Sequence, residues 1–150
     1  MKAVLAATSL AESHPALEWC KEHLHPGDVV TVVYGVSGLG EFALGLPPFD
    51  TLGGEAELRA QFRKTYCTPL NQAGIDAELR IEVESTSRAL VEVAKDVGAD
   101  MIVVAKQRHR AAVDAILGSP AVHLAHDPPC PVVIIPAAAH RAPRTGKVTA

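Results

Sequence analysis

Phosphate binding is the chemistry best suited to the cationic and glycine-bearing turns of this chain. Lys106, Arg108, His109 and Arg110 crowd one short stretch, and Gly118-Ser119 opens a helical pattern a few residues later. Cationic side chains contact phosphate oxygens through charge-assisted hydrogen bonds, and amides at a helix start donate to the same oxygens. Each feature also has a plain structural use. The cations make a solvated basic turn, and Ser119 makes an N-cap for the free amides of its own helix. Pro120 follows Ser119 and has no N–H, so one potential phosphate donor is missing.

Other constellations lead to less. Gly38-Leu39-Gly40-Glu41-Phe42-Ala43 has the spacing of a dinucleotide fingerprint, yet Gly45 and Pro47-Pro48 follow too soon for the helix that fingerprint must open. No G-x4-G-K-[S/T] sequence occurs, which excludes a P-loop. His123, His126 and Cys130 offer three zinc-compatible atoms without a fourth, and Pro128-Pro129 redirects the chain between them, so no metal site is expected. Cys67 lies between Tyr66 and Leu70 in a helical stripe and reads as a packed thiol. There is no G-x-S-x-G elbow, and the carboxylates fall on helix faces and one strand. No catalytic residue is expected, and the chain reads as a non-enzyme.

The elements that must position these residues follow from hydrophobic periodicity. Ala3 to Ala7, Val29 to Tyr34, Met101 to Ala105 and Val132 to Ile135 are continuous aliphatic runs, the pattern of strands covered on both faces in a parallel sheet. Ala77 to Val83 alternates apolar with charged residues and predicts a strand at a sheet edge. Helical patterns cover Ser13 to His25, Gly54 to Ala73, Thr86 to Val97, and a last segment opened by Ser119-Pro120. The alternation predicts an α/β fold with a doubly wound parallel sheet, whose ligands bind at the carboxyl ends of the strands. Gly35 to Gly53 reads as a long Gly/Pro-rich loop, and 137–150 as a frayed tail after a domain of residues 1–136.

Composition narrows the function classes. The chain has 150 residues, 48% hydrophobic, enough for one domain that needs no disulfide or structural metal. A net charge of -3 argues against a dedicated nucleic-acid binder, although six cations face two carboxylates from Ala105 onward. Three cysteines without framework spacing fit a reducing compartment. No apolar run approaches the roughly 20 residues of a bilayer span, so no membrane association is expected. The short apolar start is broken by Thr8 and Ser9 and reads as a strand, not a signal peptide, which makes the expected location cytoplasmic.

Three stretches in order resemble the universal stress protein family: Ala99-Asp100-Met101-Ile102-Val103-Val104, then Leu117-Gly118-Ser119, then Pro129-Cys130-Pro131-Val132-Val133-Ile134-Ile135. The resemblance covers about residues 1 to 136 and implies a five-stranded parallel sheet of order 3-2-1-4-5, an adenine nucleotide alpha hydrolase-like fold. Many members of that family bind ATP through Gly-x2-Gly-x9-Gly-[Ser/Thr] after the fourth strand, with an aspartate after the first. Projected here, the two leading glycines fall on Ala105 and Arg108, only Gly118 and Ser119 match, and the aspartate position falls on Thr8. A neutral Thr8 cannot reproduce a carboxylate's interaction with a ribose or a metal.

The resemblance therefore implies a non-enzymatic stress-response or regulatory domain with a degenerate ATP motif, no tight ATP binding and no cofactor. The alternative keeps ATP or another adenine nucleotide in a site of Thr8, Ala105, Lys106, Arg108, Arg110, Gly118 and Ser119, with the basic loop 106–110 at the phosphates. A further alternative makes the basic loop or tail a dock for an acidic protein. The last strand, Val132, Val133, Ile134 and Ile135, is apolar and uncharged at the opposite sheet edge, where family members often dimerise. A homodimer through it is expected. The residues specify no protein partner.

Overall fold

The computed structural model describes residues 1–7, 10, 14–35, 54–105, 124 and 127–136. Five parallel strands, β1 (Lys2–Ala6), β2 (Val29–Gly35), β3 (Asp76–Glu82), β4 (Met101–Ala105) and β5 (Val132–Ile135), form one sheet in the order β3-β2-β1-β4-β5. This is the order the resemblance implied. The alternating strand β3 stands at one edge, as its pattern predicted, and β5 at the other, as the strand order of the resemblance implied.

The continuous aliphatic runs have a simple cause. Successive side chains of a strand point to opposite faces, and both faces of this sheet are covered. Ala3, Leu5 and Ala7 join one buried cluster while Val4 and Ala6 join the other. Helix α1 (Pro15–His23) and the helical stretch 54–72 cover the first face, and helix α4 (Thr86–Val97) covers the second. Leu124, helical and buried, adds to the second face.

Helix ends follow their local chemistry. Pro15 at the first turn sets the start of α1 two residues later than periodicity suggested, and Pro26 bars helical backbone at His25. Helix α4 keeps the expected bounds. Gly98 takes a left-handed conformation at φ +66°, and the Ala99 N–H reaches back to Ala94 O at 2.9 Å, the hydrogen bond of a Schellman ending.

The stretch 54–72 corrects the expectation of one uniform helix. It divides into α2 (Gly54–Phe62), a π turn (Arg63–Cys67) and α3 (Thr68–Gln72). Two features of the sequence account for this. Pro69 has no N–H and its ring crowds the carbonyl four residues back, so an α-helical bond to Thr65 is impossible. The wider turn instead lets Thr68 N–H donate to Arg63 O, five residues back. The wide turn also serves packing: Leu58, Phe62, Tyr66 and Leu70 recur every four residues, a spacing that advances about 40° per step around a 3.6-residue helix. Taking up an extra residue rotates the stripe back, and Phe62, Tyr66 and Leu70 are all buried on the sheet.

Candidate functional site

The chain passes from β1 through β2 to β3 on one side and then crosses to β4 and β5 on the other, so the switch point lies between β1 and β4. Ligands of doubly wound sheets bind outside the carboxyl ends of the strands at this point. Here β1 and β4 run side by side with Leu5 opposite Val103. Just past β1, Ala7 is fully buried and its N–H donates to Val33 O at 2.8 Å. β4 ends in a half-buried Ala105, opposite Ile135 of β5 and packed on the α1 face.

Among the seven positions expected to line a nucleotide, Ala105 is the one that falls within the described residues. Thr8, Lys106, Arg108, Arg110, Gly118 and Ser119 lie outside them, as do His109, His123, His126, the loop residues 36–53 and the tail 137–150. Ala105, which carries a Cβ, is the position onto which the resemblance projects the first glycine of the nucleotide-binding motif. Cys130 is half-buried, and among the described residues no group of three His, Cys, Asp or Glu side chains could hold a metal ion.

The α1 face of the sheet is lined near β2's carboxyl end by a row of rings that periodicity alone did not bring together. Tyr34 stacks on Phe62 with centroids 4.4 Å apart, Phe62 on Tyr66 at 6.0 Å, and His14 meets Tyr66 edge-on at 4.9 Å. The Tyr66 hydroxyl and His14 Nδ1 are hydrogen-bonded at 3.1 Å. The π turn belongs to this row, because Tyr66 lies within it. The sequence signals were His14-Pro15, a helix-start pair, and the unvarying four-residue stripe.

Burial holds His14 below its ordinary value of 6.5, with Glu18 partly opposing. As pH falls, the unfolded chain therefore takes up this proton before the folded one does. The His14 contribution to stability is complete above the unfolded value and is lost as pH drops through the window beneath 6.5. His14→Gln removes the titration, so its urea unfolding free energy should vary less between about pH 7 and pH 5 than that of the wild type. An equal slope in the two proteins would assign the dependence to other groups.

The thiols are poor nucleophiles. Burial pushes Cys20 up to about 12 and Cys67 up to about 11, and burial with the Asp100 charge raises Cys130. All three are thiols at neutral pH, which agrees with the packed thiol expected at Cys67.

The family model for the universal stress protein family matches residues 1–136. This chain belongs to the universal stress protein family. Solved structures of similar fold include a universal stress protein in complex with cAMP, 21% identical over 89% of this chain and 94% of that one, with a TM-score of 0.59. An Arabidopsis thaliana member of the universal stress protein family with AMP bound is 16% identical over 96% and 97%, at 0.62. The Archaeoglobus fulgidus universal stress protein in complex with dAMP is 19% identical over 90% and 97%, at 0.56. At these identities the likeness is one of fold. No curated protein sequence matches the chain. Among the described residues no helix of this universal stress protein is long and apolar enough to cross a membrane.

Proposed function

We propose that this universal stress protein is a non-enzymatic stress-response regulatory domain of the cytoplasm that forms a homodimer through β5 and does not bind ATP tightly. The observation that carries the reading is the set of residues that follow β1 and β4 in the sequence. Ala105 and Arg108 stand where the motif needs glycines, and Thr8 stands where it needs a carboxylate. A triphosphate cradle depends on close approach to bare backbone amides, and side chains at these positions obstruct it. Pro120 removes a further donor. Calorimetric titration with ATP, with and without Mg²⁺, should show no binding tighter than millimolar. A micromolar constant, about -8 kcal/mol, would overturn this.

The nucleotides in the three similar structures favour a second reading, in which the same crevice takes a smaller adenine nucleotide. A monophosphate needs fewer amide donors than ATP, and Lys106, Arg108 and Arg110 supply positive charge directly after β4. On this reading AMP binds, and Arg108→Ala weakens it about tenfold or more, the effect of one lost charge-assisted hydrogen bond. Unchanged AMP affinity in that variant removes Arg108 from the site.

A further inference from the structure

We propose that the open edge of β3 is the docking strip of the chain's own basic tail, residues 137–150, which lies along it as an extended antiparallel segment.

The edge offers main-chain groups over a defined length. Asp76 N–H donates to Asp28 O at 2.9 Å, and β3 pairs with β2 from Asp76 to Glu82. Main-chain groups of alternate residues in a strand turn to opposite sides. Asp76, Glu78, Arg80 and Glu82 therefore direct theirs to β2, while Ala77, Leu79 and Ile81 direct theirs outward. The Ala77 N–H is taken by Asn71 Oδ1 at 3.0 Å, which closes the amino end of the strip. Among the described residues nothing takes the N–H and C=O groups of Leu79 or Ile81. Their side chains pack on the α1 face, Leu79 buried and Ile81 half-buried, so what the edge presents to a partner is main chain.

The surrounding charge selects the occupant. Arg80 is engaged by Glu82 at 3.0 Å and by Asp96 of α4 at 3.3 Å. Asp76 and Glu78 are exposed, and among the described residues neither makes an ion pair. A second β3 would set acid against acid. The segment 36–53 contains Glu41 and Asp50 with no Lys or Arg, so charge disfavours it as well. The tail has the complementary sign: Arg141, Arg144 and Lys147, with no acidic side chain. The other basic stretch, 106–110, follows β4, three strand spacings or about 14 Å from β3. Its five residues extend about 17 Å, too little to cross and then pair.

The tail has the reach. β5 and β3 are parallel members of one sheet, so the chain leaves β5 at the end where β3 finishes. Four strand spacings separate them, about 19 Å, which about six extended residues cover. Of the tail, about eight residues then remain to run back along β3. Pro143 falls where the crossing ends, at the first residue of the added segment, a position that tolerates a missing N–H.

Amide hydrogen exchange on the full chain at low salt tests the docking. The Leu79 and Ile81 amides should exchange about tenfold more slowly in the wild type than in the variant Arg141→Glu/Arg144→Glu/Lys147→Glu. The Ala77 amide, bonded to Asn71, should exchange alike in both. Adding Asp76→Lys and Glu78→Lys to the tail variant exchanges the two signs and should restore the protection. Equal exchange of Leu79 and Ile81 in the wild type and the tail variant overturns the proposal: fast in both leaves the edge open, and slow in both gives it to another segment. Protection that the two lysines do not restore also overturns it, because the tail would then act somewhere other than this edge. Docking within one chain is independent of protein concentration. Protection that falls on dilution assigns the strip to a segment of a second copy and overturns docking by the chain's own tail.

Discussion

Phe62→Ala is expected to lower the unfolding free energy by about 3–5 kcal/mol, the range for deleting a buried aromatic ring. Phe62 is fully buried, between Tyr34 at 4.4 Å and Tyr66 at 6.0 Å, and ends α2 where the π turn begins. Its removal takes the middle ring from the row that joins β2 to α1, leaving two large rings facing a void. Tyr34 is itself 1% exposed and set in the sheet, so little can collapse into the space. A domain of this size has roughly 5–15 kcal/mol in total, so the loss amounts to a large share of it. In urea the midpoint should fall with the slope unchanged. Val83→Ala, at a side chain 84% exposed, should stay within about 0.5 kcal/mol of the wild type. If the two variants lose similar amounts, the stacked row is not a centre of stability.

The contrast between these positions explains what the sequence made legible. Residues buried on both faces of the sheet leave a pattern that one-dimensional reading detects, so β4 has the bounds its aliphatic run predicts. β5 does too, from its aliphatic run between two prolines although Ile134 is 44% exposed, and α4 from its own buried stripe. The π turn was not legible, although its causes, Pro69 and the strict four-residue stripe, were in view. Both were consistent with an ordinary helix until the ring positions were known. The pairing of His14 is not legible in the sequence for a different reason: its partner Tyr66 is 52 positions away, and no local spacing encodes that meeting. The strand order came from the family resemblance, since periodicity could mark β3 as an edge but could not order the interior strands. At the candidate site the resemblance projects a motif glycine onto Ala105, and the structure adds that the Ala105 side chain lies on the α1 face at the end of β4.

Gly35→Ala is the second substitution with a large expected effect, because there the main chain of two elements meets without room for a methyl group. Gly35 ends β2 opposite Glu82, and a Cβ built on it would stand 2.8 Å from Glu84 O and from Thr86 Cα, and 2.9 Å from Thr86 N. All three are backbone atoms, so no side chain can swing aside. The start of α4 has to move instead, and with it the packing of Ala89 and Leu90 on the second face. Overpacking of this kind costs about 1–3 kcal/mol. Gly35→Val should cost more than Gly35→Ala, since a bulkier group deepens the same collision. Gly98→Ala is the control for strain without collision. Its φ of +66° disfavours a side chain, yet nothing lies within 4 Å of the added carbon. That substitution should cost about 1–2 kcal/mol and leave β2 undisturbed. Hydrogen exchange separates the two cases: Gly35→Ala should speed exchange at the first turn of α4 and at the end of β2, while Gly98→Ala should act on the last turn of α4. If Gly35→Ala unfolds at the wild-type midpoint, the close approach of β2 to the start of α4 is looser in solution than these distances require.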